Sequence, residues 1–105
     1  MPRPRICRRV FSEPGTAYFK PAGIPKAGLE ETVLGVDEYE AIRLCDLEGL
    51  DQAAAAGKMG ISQPTLHRLL SAARRKISDA IVNGKAIRIE GGSFRIGSSW
   101  GRRIG

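Results

Sequence analysis

The sequence predicts a mainly α fold: a trihelical helix-turn-helix domain with an extended basic N-terminal arm and a small C-terminal β-hairpin. Three observations lead there. Residues 51–80, DQAAAAGKMGISQPTLHRLLSAARRKISDA, pass from a small-residue segment through a glycine into a long apolar stripe with a basic outer face. Just upstream, DEYEAIRLCDLEGL has helical periodicity and a closing glycine. The flanks do not continue helix: MPRPR is punctuated by proline, and two alternating runs surround Gly91-Gly92.

Taken in order, residues 1–28 form a basic arm followed by a Pro/Gly-rich ordered loop. Pro2 and Pro4 disfavour helix, so the arm is either a phosphate-tracking or minor-groove element or a solvated tail with only nonspecific attraction. The loop contains Phe11, Tyr18 and Phe19, more aromatic surface than a flexible linker carries. An extended piece at 17–20 is expected to pack on the helices, with base stacking beside Lys20 as the alternative.

The helix-turn-helix domain covers 29–84. Its first helix is expected from Val36 or Asp37 to Glu48, with Asp37 and Glu40 as a capping box. Tyr39, Ile42 and Cys45, flanked by Leu44 and Leu47, form its buried face. Glu38, Glu40, Arg43, Asp46 and Glu48 are expected in solvent, and Gly49 ends the helix. Asp51 caps the second helix, and Gly60 makes the turn. Met59 and Ile61 face inward, while Ala55 and Ala56 lie at the helix crossing, where small side chains are needed.

Ser62 caps the third helix, and Pro64 falls in its first turn, where a missing N–H removes no intrahelical bond. Leu66, Leu69, Leu70, Ala73, Ile77, Ala80 and Ile81 make the core stripe; Gln63, His67, Arg68, Ser71, Arg74 and Arg75 make the opposite face. Asn83-Gly84 stops the helix. Residues 85–97 are expected as a hairpin around Gly91-Gly92, serving as a DNA-contacting wing through Arg88 or Arg95 or else pairing with 17–20. Residues 98–105 are expected as a flexible basic tail.

Charge sharpens the functional reading. The net charge of +6 points to an anionic partner, and its distribution says where. Residues 1–28 hold six Lys/Arg against one acid, 29–57 hold one against eight, and 58–88 hold seven against one. Positive charge thus falls on the third helix and the arm, and the acidic block is expected to face away from phosphate. Cys7 and Cys45 lie far apart in unlike settings, and there is one His. No metal-ligand spacing, disulfide framework, nucleophile elbow or phosphate-cradling loop is present, so neither an enzyme nor a cofactor or metal is expected. With no ~20-residue apolar run and no signal-peptide segment, a cytoplasmic location without membrane contact is expected.

The segments MPRPRICRRV, YFKPAGIP, DEYEAIRLCDLEGL and KMGISQPTLHRLLSAARRKI together resemble the UPF0251 (DUF134) family of small prokaryotic proteins over roughly residues 2–92. The resemblance implies a trihelical domain similar to region 4 of sigma factors and a DNA-binding role. In that family Arg commonly follows the capping Ser; here the position holds Gln63, and Gln favours adenine where Arg favours guanine.

The expected function is that of a sequence-specific DNA-binding transcriptional regulator. Base-contact candidates are Ser62, Gln63, Thr65, His67 and Arg68. Phosphate-contact candidates are Gln52, Arg74, Arg75 and Lys76, with Arg3, Arg5, Arg8 and Arg9 of the arm. The partner is double-stranded DNA, bound as a monomer or a homodimer. The alternative is a protein-interaction module docking on a partner such as RNA polymerase through the acidic segment; RNA binding ranks behind both.

Overall fold

The computed structural model describes residues 8–11, 14–15, 17–92 and 94–96. In chain order these form β1 (Arg8–Val10), β2 (Tyr18–Phe19), β3 (Glu31–Leu34), α1 (Val36–Ile42, continued by a π-helical turn Arg43–Leu47), α2 (Gln52–Met59), α3 (Gln63–Asn83), β4 (Ala86–Ile89) and β5 (Phe94–Ile96). Three helices and a small three-stranded sheet therefore make up most of the molecule.

The helix ends form by local chemistry. Asp51 Oδ1 accepts the Ala54 N–H at 2.8 Å, and Ser62 Oγ accepts the Thr65 N–H at 3.2 Å, each satisfying an otherwise orphaned donor. At the end of α2, Gly60 takes φ +68°; its N–H bonds Gly57 O at 3.2 Å and the Ile61 N–H bonds Ala56 O at 3.0 Å. Gly84 closes α3 in the same left-handed conformation.

At α1 the expected cap shifts by two residues. Gly35 is the N-cap, and Glu38 Oε1 returns to the Gly35 N–H at 2.8 Å, half of a capping box, because glycine has no side chain to reciprocate. Glu40, expected in solvent, is instead 2% exposed. It accepts both Arg43 Nε and Nη2 at 2.8 Å and the Phe11 N–H at 3.2 Å, which is how a carboxylate is tolerated at that depth. The π-helical turn, with Glu48 N–H bonding Arg43 O at 2.9 Å, adds a residue to the turn and rotates the following side chains. Leu44 stays buried, but Leu47, expected on the core flank, ends 78% exposed.

Two hydrophobic clusters meet along α3. Leu66 and Leu70 join Ala41, Leu44, Ala55, Ala56 and Met59 in one, with Ile61, Leu69 and Cys45 half-buried against it. Ala73, with Ile77 beside it, joins Val10, Leu34, Val36 and Ile89 in the other. The expected stripe holds as far as Ala80 and fails at Ile81, 74% exposed, which lies a further ~100° around the helix from Ala80 and past the sheet.

The strands correct two expectations. β4 and β5 do not pair with each other as a hairpin. β4 is the centre of a sheet ordered β2-β4-β3, parallel to β3 with Leu34 opposite Ile89, and antiparallel to β2 with Tyr18 opposite Arg88. The alternative pairing of this region with 17–20 is therefore the one formed. After β4, Gly91 and Gly92 take φ +74° and +93°, and a Cβ on Gly92 would overlap the Asp37 carboxylate. The Gly91 carbonyl accepts the Val36 N–H at 2.9 Å, so the glycines lead the chain across the start of α1 rather than back along β4.

The chain then pairs β5 parallel to β1. Consequently Arg8–Val10 is not a solvated arm: Val10 is 1% exposed in the second cluster. The aromatics also differ from expectation. Phe11 and Phe19 are more than half exposed, and Tyr18 lies on the sheet, donating to Glu31 Oε2 at 2.8 Å, rather than on the helices. Residues 1–7 and 97–105, including Arg3, Arg5, Cys7 and the predicted tail, lie outside the described residues.

Candidate nucleic-acid interface

The start of α3 follows from its cap. Ser62 turns the chain into the helix, and Pro64 accepts the fixed φ of the first turn. Gln63, His67 and Arg68 are exposed, and Thr65 is half-buried between them. Ser62 Oγ donates to Thr65 Oγ1 at 3.0 Å, and Arg68 Nη2 donates to the same oxygen at 3.2 Å. Thr65 Oγ1 thereby accepts twice, leaving its own O–H to donate. The relay ties the Arg68 guanidinium to the helix cap and restricts a side chain that otherwise samples many rotamers.

The predicted phosphate contacts divide. Arg75 is exposed on the outer face, and Gln52 is half-buried in the first turn of α2. Arg74 instead grips Asp46 with two bonds, 2.7 and 3.1 Å, which pull the Asp46 carboxyl below and push the Arg74 guanidinium above their ordinary pKa values. Lys76 binds Glu38 Oε1 at 2.7 Å. Both cations tie α3 to the α1 region. Arg88, the predicted wing residue, is held by Glu31 at 2.8 and 2.9 Å, and its guanidinium lies over the Tyr18 ring, as does Lys26. The Arg95 side chain lies outside the described residues.

The acidic block does not form a separate face. Glu31, Asp37, Glu38, Glu40, Asp46 and Glu48 each pair with a cation of the chain. Removing these carboxylates from play leaves the beginning of α3 as a surface without acidic neighbours in its own sequence from Gln52 to Ser78.

β1 brings two arm residues to this end of the molecule, which no local spacing discloses. Arg9 Nη2 donates to Gly57 O at 3.1 Å, at the C-terminus of α2, where a cation meets the negative end of the helix dipole. A Cβ on Gly60 would come within 3.2 Å of Arg9 Nε, so the glycine serves both the turn's φ and the arginine's approach. Arg8 Nη1 lies 3.7 Å from Asp37 Oδ2, and Arg8 also borders a cleft of about 660 Å³ together with Gly57, Gly60, Ser62 and Thr65. Cys45 is half-buried, and its thiol is pushed up by burial, away from reactive thiolate character. Among the described residues no group of His, Cys, Asp or Glu gathers to hold a metal, and no helix is long and apolar enough to cross a membrane.

A family model described as protein of unknown function DUF134 matches residues 1–97. The UPF0251 protein of Moorella thermoacetica is 59% identical over 96 residues, covering 91% of this chain and 64% of that protein. Relatives from Pelotomaculum thermopropionicum (55% identical) and Dehalococcoides mccartyi (58%) match the same 91% of the chain, which makes up 73% and 82% of their lengths. The chain thus spans just under two thirds of the Moorella relative. No solved structure matches. At this identity and coverage, the chain belongs to the UPF0251 (DUF134) family.

Proposed function

We propose that the protein is a sequence-specific DNA-binding transcriptional regulator. In this reading α2 and α3 act as a helix-turn-helix similar to sigma factor region 4, with α3 entering the major groove by its N-terminal end. The observation that carries the reading is the start of α3, where Gln63, His67 and Arg68 are exposed and Arg68 is held to Thr65 and Ser62. Gln63 and Arg68 contact base edges because each makes paired hydrogen bonds, Gln to adenine and Arg to guanine. Arg75 and the first amides of α2 at Gln52 contact phosphate. Arg74 and Lys76 contribute less than their charge suggests, since phosphate would have to displace Asp46 and Glu38.

The test begins with selection of binding sites from random duplex DNA, followed by titration of variants on the enriched site. Gln63→Ala and Arg68→Ala each weaken that site by about 1–3 kcal/mol and relax base choice at one position. Arg75→Ala weakens all duplexes alike and lowers the salt slope by about 0.9, whereas Arg74→Ala leaves the slope nearly unchanged. No enrichment from the random pool, or enrichment insensitive to both Gln63 and Arg68, removes this reading. The protein-docking alternative draws little support, because the acids that would form its surface are paired within the chain.

A further inference from the structure

The C-terminal end of α3 carries apolar surface that the fold itself does not use. Ile81 is 74% and Val82 79% exposed in the last turn, and Phe19 of β2 is 53% exposed. Phe19 and Ile81 line one open groove, about 320 Å³, floored by Ala80 and Ile87. The cations of α3 stop at Lys76, so from Ser78 onward its exposed side chains are Ser78, Asn83 and two branched aliphatics, Ile81 and Val82. We infer that this end of α3 is the contact face of a homodimer, covered by the same face of a second copy of this chain.

The charge balance favours a second copy over another class of partner. The charged groups around the groove balance in sign: Lys85 binds Asp79 at 2.9 Å and lies 3.8 Å from Glu30, while Lys20 keeps its charge, its ammonium donating only to the carbonyls of Pro21 and Ile24, so two cations stand against two carboxylates. Such a rim holds both signs and offers no excess charge to a nucleic acid, a lipid headgroup or a charged peptide. It suits a two-fold contact, where each Lys85–Glu30 edge meets its own reverse. The exposed parts of Phe19 and Ile81 at the groove, with Val82 next along the helix, would form the apolar centre of the ~800 Å² that each partner contributes to a stable interface.

The geometry also agrees with the DNA-binding reading, on which this one argument rests. From Leu66, amid the contact residues, to Ile81 the helix rises about 22 Å. Two copies joined at their Ile81 ends place the reading ends up to about 45 Å apart, so the ~34 Å between successive half-sites is reached when the two α3 axes enclose an open angle. The operator would then be palindromic.

Sedimentation equilibrium of the full chain without DNA tests the dimer. The wild type is expected to show a monomer–dimer equilibrium in the micromolar range, and the double variant Ile81→Glu/Val82→Glu to weaken it by ~30-fold or more, with helical circular dichroism and thermal midpoint in dilute protein unchanged. Leu47→Glu, an equally exposed leucine elsewhere, is expected to leave association intact. A wild type that stays monomeric, a double variant that associates like it, or a dimer dissolved by Leu47→Glu instead overturns the inference. A single half-site duplex separates the two proposals: a wild type that stays monomeric in sedimentation and still binds it removes the dimer alone, and a dimer that binds no duplex removes the DNA reading alone.

Discussion

The first turns of α3 and its last turns belong to one continuous helix, yet their outward side chains meet opposite environments. At the start, Gln63, His67 and Arg68 face solvent, with Arg68 anchored through Thr65 to the Ser62 cap. In the middle, Arg74 and Lys76 are drawn onto Asp46 and Glu38. At the end, Ile81 and Val82 stand in solvent with no cation of α3 beyond Lys76. Basic residues spaced along a helix are thus not equivalent: tertiary pairing selects which of them remain available to a partner. The same applies to the apolar stripe, which is core where α1, α2 or the sheet covers it and surface where the helix outruns them.

The largest expected effect separates these two kinds of apolar residue. Leu66→Ala, at a fully buried position shared by α2 and α3, is expected to destabilise by ~2–5 kcal/mol through lost contacts and a cavity. Ile81→Ala in dilute protein should stay within ~0.5 kcal/mol. Urea denaturation measures both, and comparable losses would mean that the tip of α3 is packed after all. Next comes the pair that fastens β1 to α1. Glu40→Ala leaves Arg43 without its bidentate acceptor and the Phe11 N–H without a partner, and is expected to cost ~3 kcal/mol in the same assay.

Smaller effects probe the start of α3. Ser62→Ala is expected to lower stability by ~1 kcal/mol through the lost cap. Thr65→Val keeps the branched shape and the cap but removes the oxygen that holds Arg68, so stability should change little while affinity for the selected DNA site falls. If Thr65→Val instead costs as much stability as Ser62→Ala and leaves DNA binding alone, the relay is structural only.

The mildest test is acid titration. Hydrogen bonds from Arg88 and then Tyr18 hold the Glu31 carboxyl down at about 2. A carboxylate with a lowered folded-state pKa stabilises the protein above its ordinary value and loses that contribution as pH falls. Thermal midpoints should therefore drop between the ordinary glutamate value of 4.5 and about 2, less steeply in Glu31→Gln. Asp46 and Asp79, lowered by Arg74 and Lys85, add to the wild-type slope in the same direction.

Much of the helical region was legible because its signals are local. The Asp51 and Ser62 caps, the Gly60 and Gly84 stops and the 3.6-residue stripe through Leu66, Leu70 and Ala73 each depend on residues within a few positions of one another. Where local signals competed, they misled. Asp37 and Glu40 have capping-box spacing, but Gly35 and Glu38 cap the helix, and burial of Glu40 follows from Arg43 and a strand that begins 32 residues earlier, at Arg8.

By itself, then, the sequence determined that three helices form, where the last two begin and end, and which side of α3 is apolar. Caps, left-handed glycines and helical period act over one or two turns and need no distant partner. Only the tertiary structure decided the partners of the strands and the fate of the charges. Strands of two to four residues carry too little pattern to name a partner, so Gly91-Gly92 suggested a hairpin while β4 lay parallel to β3 across all three helices. Likewise Arg74 and Arg75 are neighbours of one type in the sequence. One meets Asp46 and the other faces solvent because α1 packs on one side of the helix alone.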